Sequence, residues 1–168
     1  ARRLFEAFNA WLGHIRGGLA IASIAACAFF AAVSGSNIGT AATIGKVAVP
    51  EMRIHKYKDS LSAGCVAAGG TLGILIPPSS LMIVYGALTE ESIGKLLISG
   101  ILPGIVTAVL LAFAAWLQVR LNPSLAPIGK SSPFTIKMKT LKAIWPVPVI
   151  FAISMGGIWL GVFTATEG

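Results

Sequence analysis

Hydrophobic positions in this chain fall into long runs, and the polar breaks inside those runs carry most of the information. Residues 17–45 contain no charged side chain, yet Ser34, Gly35, Ser36 and Asn37 interrupt them near the middle. One membrane crossing takes about 20 apolar residues, so this run is long for one crossing and short for two. The pattern predicts a re-entrant helical hairpin over residues 17–50 that turns at Ser34 to Asn37 and returns to its own side. Residues 61–88 form a second run, and Gly69-Gly70-Thr71-Leu72-Gly73-Ile74-Leu75-Ile76-Pro77-Pro78-Ser79-Ser80 lies inside it. Pro77 and Pro78 have no N–H, so the carbonyls of Gly73 and Ile74 lose their helical donors. Ile76, preceding a proline, is pushed out of the α region. With glycines just upstream, the span is expected to be a discontinuous transmembrane helix rather than a bent one.

The remaining pattern fills in around these two features. Residues 1–16 place Leu4, Phe5, Phe8, Trp11, Leu12 and Ile15 at helical spacing among charges, which predicts an interfacial amphipathic helix. Residues 51–60 read as a basic cytoplasmic loop, 93–119 as a transmembrane helix and 120–142 as a proline- and lysine-rich cytoplasmic loop. Residues 143–163 read as a last transmembrane helix, with Trp145 and Trp159 toward its ends as interface anchors. Both ends of the chain look cut, so the sequence is expected to be a fragment of a larger membrane protein.

Composition sharpens the class. Hydrophobic residues make up 55% of the chain and charged ones 11%, and the mean hydropathy is +0.83; these values describe an integral membrane protein, and with the helical runs the expected fold is all-α. The net charge of +7 belongs to basic residues at the ends of apolar runs, not to a stripe interleaved with aromatics, which excludes a nucleic-acid partner. Those charges also test the hairpin. Arg2, Arg3 and Arg16 precede it, Lys46, Arg53, Lys56 and Lys58 follow, and residues 120–142 are basic again. A returning hairpin puts all of them on the cytoplasmic side and leaves Glu90 and Glu91 facing outward, as the positive-inside rule asks.

The candidate chemistry sits at the two interruptions. Backbone and side-chain oxygens around Ser34, Gly35, Ser36 and Asn37 suit a hard cation, and helix N-termini there favour a substrate carboxylate. Thr40 and Thr43 add hydroxyls, which can equally bond to their own helix. Gly70, Thr71, Gly73, Ile76 and Pro78, with Pro77 and Ser79 in support, supply freed carbonyls at membrane depth, a recurrent setting for ion sites in secondary transporters. The competing use of so many small residues is close helix packing. No charge lies deep in an apolar run, so coupling to sodium through neutral oxygens fits better than a proton relay. Cys27 and Cys65 read as small buried hydrophobes, and neither they nor His14 and His55 have the spacing of a transition-metal site. The sequence contains no Ser–His–Asp set, HExxH or paired membrane carboxylates, so an enzyme is not expected.

Several ordered motifs then resemble one family. Phe30-Ala31-Ala32-Val33-Ser34-Gly35-Ser36-Asn37, Thr43-Ile44-Gly45, Val49-Pro50-Glu51-Met52 and Ala67-Ala68-Gly69-Gly70-Thr71-Leu72-Gly73-Ile74-Leu75-Ile76-Pro77-Pro78-Ser79 closely resemble the large membrane subunit of tripartite ATP-independent periplasmic (TRAP) transporters. Tyr85-Gly86, Thr89-Glu90-Glu91-Ser92-Ile93-Gly94-Lys95-Leu96, Gly100-Ile101-Leu102-Pro103-Gly104, Gly156-Gly157 and Gly161-Val162-Phe163-Thr164 follow in order. The resemblance implies a sodium-driven importer, a multi-pass protein of a bacterial inner membrane, working as an elevator with two inverted repeats. It implies two protein partners, a periplasmic binding protein that delivers an organic acid and a small membrane subunit. Carried over by motif, Ser34, Ser36 and Asn37 at the tip and Gly73, Ile76 and Pro78 in the broken helix would form one sodium site. Sodium is the coupling ion and no other cofactor is implied. Residues 164–168 would begin the second repeat, though Phe163-Thr164-Ala165-Thr166-Glu167 lacks the proline usual there. The expected function is therefore sodium-coupled symport of a C4-dicarboxylate or related carboxylate. The alternative is a membrane scaffold or assembly subunit without its own ion or substrate site.

Overall fold

A computed structural model describes residues 2–127, 133, 137, 138, 140 and 145–159. The expected start of a second repeat at 164–168, and parts of the loop at 120–142 and of the helix at 143–163, lie outside them. All regular structure among the described residues is helical: α1 (Arg2–Leu12), α2 (Gly18–Ser34), α3 (Asn37–Ile54), α4 (Asp59–Gly70), α5 (Ser80–Thr89), α6 (Ile93–Leu121) and α7 (Pro146–Trp159). Short 3-10 turns cover Thr71–Ile74 and Pro123–Leu125.

Two connectors decide how these helices sit. Between α2 and α3 only Gly35 and Ser36 intervene, Gly35 in the left-handed region with φ 59° and Ser36 extended as the N-cap of α3. The chain therefore reverses, and the two helices pack side by side. Leu19 at the start of α2 donates its N–H to the Tyr57 hydroxyl beyond α3, at 3.4 Å. One turn further along α2, the Ser23 hydroxyl oxygen lies 3.4 Å from the Met52 sulfur. Both feet of the hairpin thus stand at one end of the molecule. The α3–α4 connector at that end is closed by a bidentate pair, Arg53 Nε to Asp59 Oδ1 at 2.7 Å and Nη2 to Oδ2 at 3.1 Å.

The second connector is the break. α4 tightens into the 3-10 turn, whose last bonds run from the Leu75 and Ile76 N–H groups to the Leu72 carbonyl. Beyond Ile76 the two prolines donate nothing, and the helix restarts only after Ser79, whose hydroxyl accepts from the Met82 N–H at 3.4 Å. Ser79 is fully buried, so the restart is capped from within the fold.

α6 is a ruler for the rest. Its 29 residues span about 43 Å, long and apolar enough to cross a membrane. Near its C-terminal end Val119 packs against Gly17 at the foot of α2. Gly100 and Gly104 meet Leu75 and Ile76 at the break, and Ile93 and Leu96 meet Gly86 of α5. Phe5, Leu19, Ile24, Ile44, Met52, Leu72 and Val119 belong to one buried cluster that joins these helices.

Candidate functional site

The hairpin tip lies against the break. A Cβ placed on Gly73 would collide with the Ser36 carbonyl and the Asn37 nitrogen, so the turn backbone rests directly on the 3-10 segment. Gly70, one turn earlier, faces Ala41 of α3, where an added Cβ would stand 2.7 Å from the alanine methyl carbon. On the other flank, a Cβ on Gly35 would lie 2.6 Å from the Pro78 carbonyl oxygen. Ser80 donates both its N–H (3.3 Å) and its hydroxyl (3.2 Å) to the Gly35 carbonyl. Local sequence explains this fit: glycine is the residue that accepts left-handed backbone and close approach without a steric penalty.

Hydroxyls organise the tip from within. Ser34 Oγ and the fully buried Thr40 Oγ1 lie 2.6 Å apart, and either can donate. The Ser34 hydroxyl also points at the Ser36 carbonyl, at 3.4 Å. Ser36 Oγ accepts from the Gly39 N–H at 3.2 Å as the cap of α3, and Asn37 Oδ1 accepts from the Ile38 N–H at 2.7 Å. The turn is thus a dense set of neutral oxygens beside the freed carbonyls of the break, chemistry that suits a weakly bound hard cation.

Of the residues singled out from sequence, the fold brings Ser34, Gly35, Ser36, Asn37 and Thr40 together with Gly70, Gly73, Pro78 and Ser79. It sets others apart. Thr71 is exposed and donates to the Ala68 carbonyl at 2.6 Å, the bond to its own helix that hydroxyls often make. Thr43 lies about 10 Å along α3 from its N-cap. The side chains of Ile76 and Pro77 turn toward α2, α6 and α7, where they line an apolar cavity of about 520 Å³, so Ile76 can serve a tip-side ligand only through its backbone. Two features were quoted from the sequence without a role. Ser80 is one, and its signal was its place as first helical residue after Pro-Pro-Ser. Gly100 and Gly104 are the other, spaced as i and i+4 in the manner of close-packed membrane helices.

A helical hairpin seated by its tip on a broken helix, beside a helix long and apolar enough to cross a membrane, is consistent with a fragment of an all-helical membrane transporter. The family profile for the tripartite ATP-independent periplasmic transporter, DctM component, matches residues 1–168, and the chain belongs to that family. The C4-dicarboxylate TRAP transporter large permease protein DctM of Pseudomonas aeruginosa is 44% identical over 167 residues, covering 99% of this chain and 39% of that protein. The ectoine/5-hydroxyectoine TRAP transporter large permease protein UehC of Ruegeria pomeroyi is 40% identical, over 99% of this chain and 39% of the relative. The isethionate TRAP transporter permease protein DctMQ of Oleidesulfovibrio alaskensis is 39% identical, over 99% of this chain and 26% of the relative. These relatives are permeases rather than enzymes, and the chain spans about two fifths or less of their length.

Proposed function

We propose that this chain forms the first half of the transport body in the large permease subunit of a sodium-coupled TRAP importer. In this reading α2 and α3 are a re-entrant hairpin and α4 and α5 a discontinuous transmembrane helix, together one of two inverted repeats of an elevator. Sodium is held between the tip, through Ser34, Ser36 and Asn37, and the backbone of Gly73, Ile76 and Pro78. The observation that carries the proposal is the seating of the Ser36–Asn37 backbone on Gly73, which brings two sets of neutral oxygens to one place. Depth supports it. α2 has 17 residues, about 25 Å of helix, and its tip lies level with the break. The Gly100–Gly104 stretch of α6 packs on that break, which leaves roughly a quarter of α6 beyond it, so the turn falls within the span of α6 rather than past its end.

The cargo is an organic acid, with a C4-dicarboxylate as first choice because the Pseudomonas relative carries that name. Relatives named for ectoine and isethionate share the same stretch. Discrimination among acids therefore resides largely outside these residues. A periplasmic binding protein and a small membrane subunit are the expected partners, in a bacterial inner membrane. The test is uptake of succinate into proteoliposomes by the complete transporter with both partners. Wild-type protein should need a sodium gradient, and Ser36→Ala and Gly73→Leu should lower sodium-driven uptake at least tenfold. Uptake indifferent to sodium and to both substitutions would leave the scaffold reading, in which these glycines serve packing alone.

A further inference from the structure

We infer that Ser80 is a positioning residue that fastens the hairpin tip to the second half of the broken helix and so sets the affinity of the sodium site; the inference rests on the reading just proposed. The first N–H groups of a helix have no partner inside it. Ser80, at the first position of α5, could have left its N–H to water or to a side chain of its own turn. Instead both its N–H and its hydroxyl reach across 45 residues of sequence to one acceptor, the Gly35 carbonyl. A carbonyl oxygen has two lone pairs, and Ser80 occupies both. The Gly35 carbonyl is thus a tether, not a ligand, and any cation at the turn must use its neighbours.

The tether works with steric contact on the other side of buried Ser79. The Pro78 carbonyl oxygen stands where a Gly35 side chain would be, so the turn is held between Pro78 and Ser80. Sliding the tip along the break breaks both bonds to Gly35 and drives its Cα toward that oxygen. Because the ligands proposed for sodium are divided between tip and break, their separation is fixed by this clasp. Preorganisation of that kind appears in binding as affinity.

The experiment uses the complete permease in detergent, with sodium chloride replacing choline chloride at constant ionic strength, and reads the sodium midpoint by titration calorimetry, overall stability by the melting temperature, and amide deuterium exchange over residues 34–40. Ser80→Ala keeps the N–H bond and removes the hydroxyl bond, and Ser80→Thr restores a hydroxyl. The expected result is a sodium midpoint about fivefold higher in Ser80→Ala, the weight of one net hydrogen bond, with full occupancy still reached at saturating sodium. Exchange at the tip should be faster without sodium, and Ser80→Thr should return both readouts toward wild type. A loss of overall stability alone would move the melting temperature but not the sodium midpoint. If wild type responds to sodium and Ser80→Ala has the same midpoint, the inference is overturned. A wild type blind to sodium overturns the sodium reading instead; exchange then judges the clasp, with unchanged exchange in Ser80→Ala counting against it and faster exchange for it.

Discussion

A methyl group added at Gly35 would stand 2.6 Å from the Pro78 oxygen, on a residue whose φ of +59° already disfavours any side chain. Left-handed backbone costs a non-glycine residue about 1–2 kcal/mol, and the clash adds to it. Gly35→Ala should therefore lower thermal stability by several degrees in a detergent melt and reduce uptake more than Gly64→Ala, where an added Cβ meets nothing within 4 Å. Equal behaviour of the two variants would mean that the turn is not clamped. Thr40 offers a different probe. Its hydroxyl bonds Ser34 in a fully buried position, so Thr40→Val, similar in shape, isolates the loss of one buried hydrogen bond, about 1–3 kcal/mol. Thr40→Ser should retain most of that stability, and chemical or thermal unfolding of both variants decides it.

At the scale of elements, the broken helix follows from two missing donors, so giving them back should mend it. Pro77→Ala with Pro78→Ala restores N–H groups that can reach the Gly73 and Ile74 carbonyls. The expected outcome is a folded permease with higher helicity by circular dichroism whose melting temperature no longer responds to sodium. A retained sodium response would show that the prolines do not create the site. The α3–α4 connector responds to acid. The Arg53 guanidinium holds the Asp59 carboxyl below its ordinary range by direct hydrogen bonds. A depressed carboxylate pKa stabilises the fold above the ordinary value and loses that contribution as pH falls through the lowered one. Both groups are largely exposed, so the effect is small. Acidification should lower the melting temperature slightly less in Asp59→Asn than in wild type.

For the whole molecule, the arrangement puts Arg16, Lys56 and Lys58 at the feet of the hairpin, at the end marked by Val119, and Glu90 and Glu91 at the opposite end of α6. Single cysteines introduced at Arg16 and Lys56 in a cysteine-free permease should label with a membrane-impermeant maleimide from the same side, and one at Glu91 from the other. Labelling of Arg16 and Lys56 from opposite sides would replace the hairpin with a full crossing. The chain reversal at Gly35 and Ser36 and the interruption at Pro77 and Pro78 were legible in the chain, because small polar residues break an apolar run there and two successive prolines remove two helical donors. The register of tip on break was not legible. Nothing in the order of residues tells that Ser36 lands on Gly73, or that Ser80, one of several serines beside a helix start, turns both its donors to Gly35. The turn of Ile76 and Pro77 toward α2, α6 and α7 was hidden for the same reason: apolar side chains beside freed carbonyls do not announce which neighbour they will pack against.

The hairpin carries cross-ties near both ends: Leu19 to Tyr57 at its feet, Ser23 beside Met52 one turn above, and Ser34 to Thr40 under the tip. Such a structure transmits torque instead of opening like a pair of tweezers. The turn at Gly35 and Ser36 already joins the arms at the tip, so opening the pair at its feet would have to break the two lower ties, whereas tilting the pair as one rod breaks none. A tilt of the hairpin would therefore move Tyr57 and Ser34 together, about 22 Å of helix apart.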